Sequence, residues 1–230
     1  MPTLTATNSL STKLATIEPH IGNTPLLRIE GFHDNENVQI FAKLEWKQLS
    51  GSVKARAAYN IIKNAILENK LTPDKILLDA SSGNTGIAYA TIGKELGLNV
   101  TILLPENASS ERKNILKSLG AEIIYTSKFR GTDEAQDAAK ELAERYPEKY
   151  FYADQYSNEN NWKAHYHGTA EEIIHEKPQL DYFIAGLRTT GTFAGTSGPA
   201  KAYNTTLPTL EAQPNFDLSD IKCHKNHQTV

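Results

Sequence analysis

Cysteine is nearly absent from this sequence, and neither sign of charge is in large excess. A single cysteine, Cys223, excludes an internal disulfide and any metal site that needs several cysteines. The 24 basic and 27 acidic side chains leave a net charge of −3, and the basic residues are scattered rather than gathered in one stripe. This pattern lacks the electrostatic signature of nucleic-acid binding, so we expect neither DNA nor RNA as a partner.

Signals for membranes and export are missing as well. The longest apolar runs, such as residues 76–78 and 102–104, fall far short of the roughly 20 residues that a membrane helix needs. Residues 1–13 have neither the apolar stretch of a signal peptide nor the arginines of a transit peptide. We therefore expect no membrane partner and a cytoplasmic location. A hydrophobic content of 39% is enough for a folded core.

Short apolar runs alternate with helical periodicity along most of the chain, which is typical of parallel βαβ construction. Strands are predicted at residues 38–45, 76–79, 100–104, 123–125, 150–152 and 182–185. Helices are predicted from residue 52 onward, at 87–96, 109–119, 133–146 and 158–175, and toward Tyr203. The predicted fold class is α/β, with mostly parallel sheets flanked by helices. Residues 204–230 have no convincing period and are predicted to form an irregular tail.

Two loops place small and hydroxyl residues between a predicted strand and a predicted helix. These are the serine loop, residues 81–86, and the threonine loop, residues 186–192. Backbone N–H groups at a helix start favour anions, so each loop could hold a phosphate or a carboxylate. Each could equally serve only to cap its helix. Neither is a Walker loop, because no Gly-Lys-Ser/Thr follows.

Lys54 lies at the start of a helix that is mostly apolar. Partial burial at this position would favour a neutral amine, which can attack a carbonyl group. The alternative is a surface lysine whose aliphatic stem covers apolar neighbours. The local pattern does not choose between these two readings.

Five motifs occur in a fixed order along the chain. They are Gly22-Asn23-Thr24-Pro25-Leu26, Lys43-Leu44-Glu45, Gly51-Ser52-Val53-Lys54, Ser82-Gly83-Asn84-Thr85-Gly86, and Leu104-Pro105-Glu106-Asn107 with Leu119-Gly120-Ala121. Together they resemble the cysteine synthase family, which belongs to the tryptophan synthase β-like, fold-type II pyridoxal-phosphate enzymes. The resemblance runs from about residue 14 to about residue 203. Gln155-Tyr156, Asn160-Asn161-Trp162 and His165-Tyr166 are similar to a later segment of the same family.

The resemblance implies roles for individual residues. Lys54 would form the covalent link to pyridoxal 5′-phosphate and, once displaced by substrate, remove the α-proton. Asn84 would hydrogen-bond the oxygen on the pyridine ring. The substrate carboxylate would be held by Ser81, Ser82, Asn84 and Thr85, helped by Gln155. The cofactor phosphate would be held by Arg188, Thr189, Thr190, Gly191 and Thr192.

The resemblance also implies an architecture of two subdomains with the cofactor between them. Residues 38–152 would form the small subdomain that carries Lys54 and Asn84. Residues 1–37 and 153–203 would form the larger, cofactor-binding one. Later elements of the family's large domain are not recognisable in residues 204–230, so we expect the larger subdomain to be incomplete and the chain to be truncated at its C-terminus. A homodimer is the implied assembly.

The implied reaction is β-replacement on an O-activated serine, with sulfide as the acceptor and cysteine as the product. Related elimination of water and ammonia from serine or threonine, or synthesis of a non-protein amino acid, is an alternative within the same fold. A non-catalytic remnant is an alternative of another class, motivated by the missing family elements.

Several residues depart from the family pattern or offer weaker sites. Arg188 and Thr190 replace glycines common in the phosphate-binding loop, and Arg188 could either pair with the phosphate or crowd it. Cys223, His224 and His227 lie in the predicted tail with no second ligand cluster, so we expect no metal site. His165 and His167 do not share a helix face and are interpreted as packing or surface residues.

Overall fold

The computed structural model describes residues 4–32, 34–187 and 189–212 of the chain. The helices in this part are α1 (Leu4–Ile17), α2 (Lys54–Leu67), α3 (Asn84–Leu96), α4 (Ser110–Ser118), α5 (Gly131–Arg145), α6 (Glu159–Ala164), α7 (Ala170–Glu176) and α8 (Gly191–Tyr203). The strands are β1 (Leu26–Ile29), β2 (Ile40–Lys43), β3 (Ile76–Ala80), β4 (Val100–Pro105), β5 (Glu122–Thr126), β6 (Tyr150–Tyr152), β7 (Phe183–Gly186) and β8 (Thr209–Ala212). A short 3-10 helix, Glu18–His20, follows α1, and a π-helical turn, His165–Thr169, joins α6 to α7.

Four parallel strands form the central sheet, in the order β5-β4-β3-β6. The chain builds outward from β3 to β5 through α3 and α4, and α5 then returns it to place β6 on the other side of β3. The direction of sheet growth therefore reverses at β3. In parallel sheets, the crevice at the carboxyl ends of the strands beside such a reversal is the usual place for a ligand. The predicted α/β class with a parallel sheet flanked by helices is confirmed.

Successive residues of the central strands point to opposite faces and enter two separate hydrophobic clusters. Leu77, Ile102 and Leu104 belong to the larger cluster, which packs against α1, α2 and α3. Leu78 and Leu103 belong to the smaller cluster, which packs against α5. Since both faces are covered, β3 and β4 are buried almost throughout, and this explains their continuous apolar sequence.

The N-terminal segment is part of this core. Leu14 and Ile17 of α1 are buried in the larger cluster. Lys13 Nζ donates a hydrogen bond of 2.9 Å to the carbonyl of Leu96, at the end of α3. Gly97 follows with a φ of 74°, the left-handed conformation that glycine adopts easily at a helix end.

Strand β2 pairs with β1 in an antiparallel hairpin, with Leu26 opposite Lys43. The hairpin therefore crosses residue 38, where the small subdomain is predicted to begin. The predicted strand at residues 38–45 is confirmed for its middle part, but its partner is β1 and not the parallel sheet. The division into two subdomains stays a prediction.

The prediction of an irregular tail from residue 204 is wrong for Thr209–Ala212. These residues form β8, which pairs in parallel with β7 across the α8 crossover. Four residues with only one large apolar side chain carry no readable period, and the strand is defined by its hydrogen bonds to β7. Cys223, His224 and His227 lie outside the described residues.

No helix in the described part of the chain combines the length and the apolar content that crossing a membrane would require.

Gly93 in α3 offers a test of the packing between helix and sheet. A Cβ atom at this position would overlap the Cγ2 atom of Val100 on β4. We expect Gly93→Ala to lower the free energy of unfolding by about 1–3 kcal/mol, measured by urea denaturation, although alanine is the better helix former. In a Val100→Ala background the obstructing methyl is gone, so the same substitution should cost less. An equal cost in both backgrounds would contradict this account of the contact.

Candidate active site

Lys54 is the first residue of α2, and its side chain is partly buried. Gly51 ahead of it has a φ of 68°, and the backbone nitrogen of Lys54 lies 3.4 Å from Ser52 Oγ. Burial and the charges of Lys54 and Arg56 lower the pKa of His165 to about 3. Lys54 therefore lies within electrostatic reach of the π-helical turn, and the imidazole of His165 is neutral at physiological pH.

Arg56, two residues after Lys54, is the centre of a buried ion cluster. Its Nε and Nη2 donate to the two oxygens of Glu45 at 2.7 and 2.8 Å. Its Nη1 and Nη2 donate to the two oxygens of Glu172 at 2.6 and 2.8 Å. We call this set, together with Lys43 and Thr24, the Arg56 cluster. It joins the start of α2 to the loop after β2, to α7 and to the segment before β1.

The charges of the Arg56 cluster hold one another in the ionised state. Burial would raise the pKa of Glu172, but hydrogen bonds and charge from Arg56, with the Asn23 amide and Lys43, lower it to about 2. Lys43 Nζ completes the cluster, 3.0 Å from Glu172 and 2.7 Å from Glu176. Burial opposes ionisation of Arg56 as well, yet the two carboxylates raise its pKa above the ordinary value.

The serine loop follows β3 at the carboxyl edge of the sheet. Ser81 Oγ accepts hydrogen bonds from the backbone nitrogens of Gly86 and Gly83, at 3.0 and 3.3 Å. Because this hydroxyl satisfies amides of the first helical turn, α3 begins at Asn84, three residues earlier than the apolar periodicity predicts. Asn84 and Thr85 of the serine loop therefore belong to the first turn of α3.

The side chains of the serine loop fall into two groups. Ser81 and Thr85 are buried, and their hydroxyls are engaged within the protein. Ser82 is half-buried and Asn84 is exposed, so these two are the ones accessible to a ligand. Arg112 Nη1 donates to the carbonyl oxygen of Ser82 at 3.0 Å and adds a positive charge beside the loop. The sequence pattern gave no signal for Arg112.

Gln155, in the loop after β6, is buried against the serine loop. Its Oε1 accepts a hydrogen bond from Thr85 Oγ1 at 2.7 Å, and its Nε2 donates to the carbonyl of Ala80 at 3.0 Å. Strands β3 and β6 are neighbours in the sheet, so the loops that follow them meet at the point where sheet growth reverses. The structure thus brings Gln155 and the serine loop together, and the amide of Gln155 braces the loop.

Asp79 lies beneath this contact and is almost completely buried. Its Oδ1 accepts a hydrogen bond from the backbone nitrogen of Ala80 at 2.8 Å, and its Oδ2 lies 3.4 Å from that of Gln155. Burial raises the pKa of Asp79 to about 7, because these hydrogen bonds only partly offset the loss of water. No sequence motif points to this residue.

The threonine loop runs from the end of β7 into the first turn of α8. Gly191 and Thr192 are the first residues of the helix, and Thr190 is its N-cap. Thr190 has a φ of 63°, a conformation that glycine adopts more easily than threonine. Thr189 and Thr192 are half-buried, and Arg188 lies outside the described residues.

The segment from α6 into the π-helical turn packs against the threonine loop. Asn161 Nδ2 donates to the carbonyl of Gln155 at 2.7 Å and lies 3.5 Å from Thr189 Oγ1. His165 is buried, with Nδ1 2.9 Å from Thr169 Oγ1 and Nε2 3.2 Å from Thr192 Oγ1. The interpretation of His165 as a packing residue is confirmed. His165 also contacts Thr192, which is predicted to bind the cofactor phosphate.

These donors suit the phosphate group of pyridoxal phosphate. The N-terminus of α8 presents backbone N–H groups beside the hydroxyls of Thr189 and Thr192. Gly191 has no room for a side chain, because a Cβ atom there would overlap the amide of Asn161. Lys54, which could bind the aldehyde of the cofactor, is near enough for its charge to lower the pKa of His165. The residues present therefore fit the cofactor.

A family model described as "Pyridoxal-phosphate dependent enzyme" matches residues 17–227. A cysteine synthase from Aquifex aeolicus is 41% identical over 211 residues, which are 90% of this chain and 64% of that protein. Cysteine synthase B from Escherichia coli is 37% identical over 80% of this chain and 60% of its own length. This chain thus spans 60–64% of the length of these curated relatives.

Solved structures are similar to this chain as well. A hydrogen sulfide-producing enzyme from Fusobacterium nucleatum superimposes with a TM-score of 0.80 at 34% sequence identity. The match covers 86% of this chain and 66% of the Fusobacterium chain.

The raised pKa of Asp79 leads to a prediction about stability and pH. Between pH 4 and pH 7 the unfolded chain loses the proton of Asp79 while the folded chain keeps it. The free energy of unfolding should therefore fall as pH rises, by at most about 1.4 kcal/mol per pH unit from this group. In Asp79→Asn this contribution is absent. The free energy of unfolding of the variant, taken relative to that of the parent, should therefore rise from pH 4 to pH 7 and stay constant above pH 7. Urea denaturation across this range measures the difference, and a difference that does not vary with pH would contradict the assignment.

Proposed function

Because this chain belongs to the family of pyridoxal-phosphate-dependent enzymes, we propose that it binds pyridoxal 5′-phosphate and replaces the β-substituent of an O-activated serine with sulfide, forming cysteine. The chain spans less than two thirds of the length of its curated relatives, so the activity has to be tested on this chain itself.

One observation supports the proposal most strongly, namely a set of contacts that joins the predicted carboxylate and phosphate subsites, with the charge of Lys54 close by. Thr85 of the serine loop is bonded to Gln155, and Asn161 connects the Gln155 carbonyl to Thr189. His165 contacts Thr192, and the charge of Lys54 helps to lower the pKa of His165. These contacts support one site made of a lysine amine, a proposed carboxylate-binding loop and a proposed phosphate-binding helix start.

The chemistry assigns a task to each part of this site. When bound, pyridoxal phosphate acidifies the α-carbon of an attached amino acid, so that a leaving group on the β-carbon departs easily. Lys54 Nζ takes the α-proton. Ser82, Asn84 and the free amides at the start of α3 hold the substrate carboxylate, and this fixes the direction of the α C–H bond. Thr189 and Thr192 hold the phosphate at the start of α8.

A second candidate reaction has its own support. The similar Fusobacterium protein is described as hydrogen sulfide-producing, and the same site would release sulfide from bound cysteine if water took the place of the second substrate. Measurement of sulfide release from cysteine, beside cysteine formation from O-acetylserine and sulfide, separates the two reactions.

Two further proposals rest on the resemblance alone. They are a homodimer, and a division into a small subdomain of residues 38–152 and a larger one of residues 1–37 and 153–203. A cytoplasmic location stays a proposal as well.

The role of Lys54 can be tested by trapping the cofactor. The purified chain is mixed with pyridoxal phosphate, its visible absorption is recorded, and borohydride reduction is followed by peptide mapping. We expect the label on Lys54 and its loss in Lys54→Ala, with circular dichroism as the check on folding. Lys63→Ala, a change on the same helix, should leave the labelling of Lys54 intact.

Turnover completes the test of the proposed function. Lys54→Ala should form cysteine from O-acetylserine and sulfide at least about a hundredfold more slowly than the parent, because the group that moves the α-proton is gone. Equal rates in parent and variant, or label spread over surface lysines, would overturn the proposed reaction. A folded parent that binds no cofactor would instead favour the non-catalytic alternative.

A further inference from the structure

Asn161 lies between the two loops that the proposed function uses. It is a polar side chain that is only 5% exposed, on the short helix α6. Its Nδ2 donates to the backbone carbonyl of Gln155 at 2.7 Å, and the same nitrogen is 3.5 Å from Thr189 Oγ1. One amide group therefore contacts both the segment that braces the serine loop and the threonine loop.

The other end of this amide has no partner. Among the described residues, Asn161 Oδ1 is a buried oxygen without a hydrogen bond. Leaving a buried acceptor unsatisfied typically costs about 1–3 kcal/mol, so native proteins rarely do so without a reason. The oxygen lies against Gly191, since a Cβ atom on that glycine would overlap it. Only glycine fits there while Asn161 keeps its position.

The chemistry of this oxygen defines what it can do. An amide oxygen accepts hydrogen bonds and would repel a phosphate, whose oxygens are also acceptors. It can therefore serve the phosphate only indirectly, by accepting an N–H or O–H from the loop that does the binding. The donors beside it belong to that loop, namely the amides at the start of α8 and the hydroxyl of Thr189.

We propose that Asn161 is a positioning residue that fixes the threonine loop relative to Gln155 and the serine loop, with its Oδ1 accepting a hydrogen bond from the threonine loop when an anion is bound there. The identity of the anion as the phosphate of pyridoxal phosphate rests on the proposed function. The coupling of the two loops does not.

The segment after Asn161 supports this role. His165, four residues later, lies on the same side of the helical segment and contacts the hydroxyl of Thr192. The π-helical turn that begins at His165 is a rare geometry that often occurs at functional sites. Gly195 of α8 lies so close to this segment that a Cβ atom would overlap the carbonyl of Trp162. The threonine loop and α8 thus pack against one continuous segment.

Hydrogen exchange without any ligand tests the coupling directly. We expect Asn161→Ala to speed amide exchange in peptides covering residues 186–195 by about tenfold, because one buried hydrogen-bonding support is removed. Asn158→Ala is the matched control. Asn158 caps the same helix, with its side chain accepting from the Asn160 nitrogen and donating to the Ala153 carbonyl, but its bonds do not reach the threonine loop. Equal exchange in the two variants would overturn the proposal.

Binding measurements add a readout that depends on the phosphate. We expect Asn161→Ala to weaken the binding of pyridoxal phosphate by about tenfold. The binding of pyridoxal, which lacks the phosphate, should stay almost unchanged. Equally weakened binding of both ligands would contradict a role that acts through the threonine loop. If the parent binds neither ligand, the proposed function fails, and the exchange experiment still decides the coupling.

A second variant guards against loss of folding in the first. Gly191→Ala pushes a methyl group against the Asn161 amide and should reproduce the faster exchange. In the double variant the two effects should be far from additive, because both act through one contact. Fully additive effects would show that the two residues act independently and would overturn the proposal.

Discussion

The guanidinium of Arg56 is the interaction on which the arrangement of the site depends. It bonds both oxygens of Glu45 and both oxygens of Glu172 while nearly excluded from water. Removing one partner from such a buried pair typically costs about 3–5 kcal/mol, because a charge is left uncompensated. Lys54 precedes Arg56 by two residues, so the cluster that fixes the start of α2 also fixes Lys54. The N-terminal hairpin and α7 are tied to the same point.

The second constraint comes from the order of the strands. Because sheet growth reverses at β3, the loops after β3 and β6 are neighbours, and Gln155 can brace the serine loop from within the core. Asn161 then extends the same set of hydrogen bonds to the threonine loop. The serine loop and the threonine loop are thus connected by polar contacts, which is the preorganisation that the proposed reaction at a single α-carbon requires.

The sequence predicted those parts of the fold and the site that are encoded locally. Apolar runs revealed the central strands. Contiguous motifs pointed to Lys54, the serine loop and the threonine loop, whose roles stay predictions. The pairing of Arg56 with Glu172 was not readable, because the two residues are 116 positions apart and neither has a distinctive neighbourhood. Strand β8 was missed because four residues carry too little period and depend on β7 for their hydrogen bonds.

A crystal structure of this chain grown with pyridoxal phosphate would test the central claim, that three separate segments form one cofactor site. We expect continuous density between Lys54 Nζ and the cofactor, with the phosphate at the start of α8 beside Thr189 and Thr192. We also expect the Asn161 oxygen to be hydrogen-bonded to the threonine loop. Density that joins the cofactor to another lysine, or a phosphate bound away from α8, would contradict it.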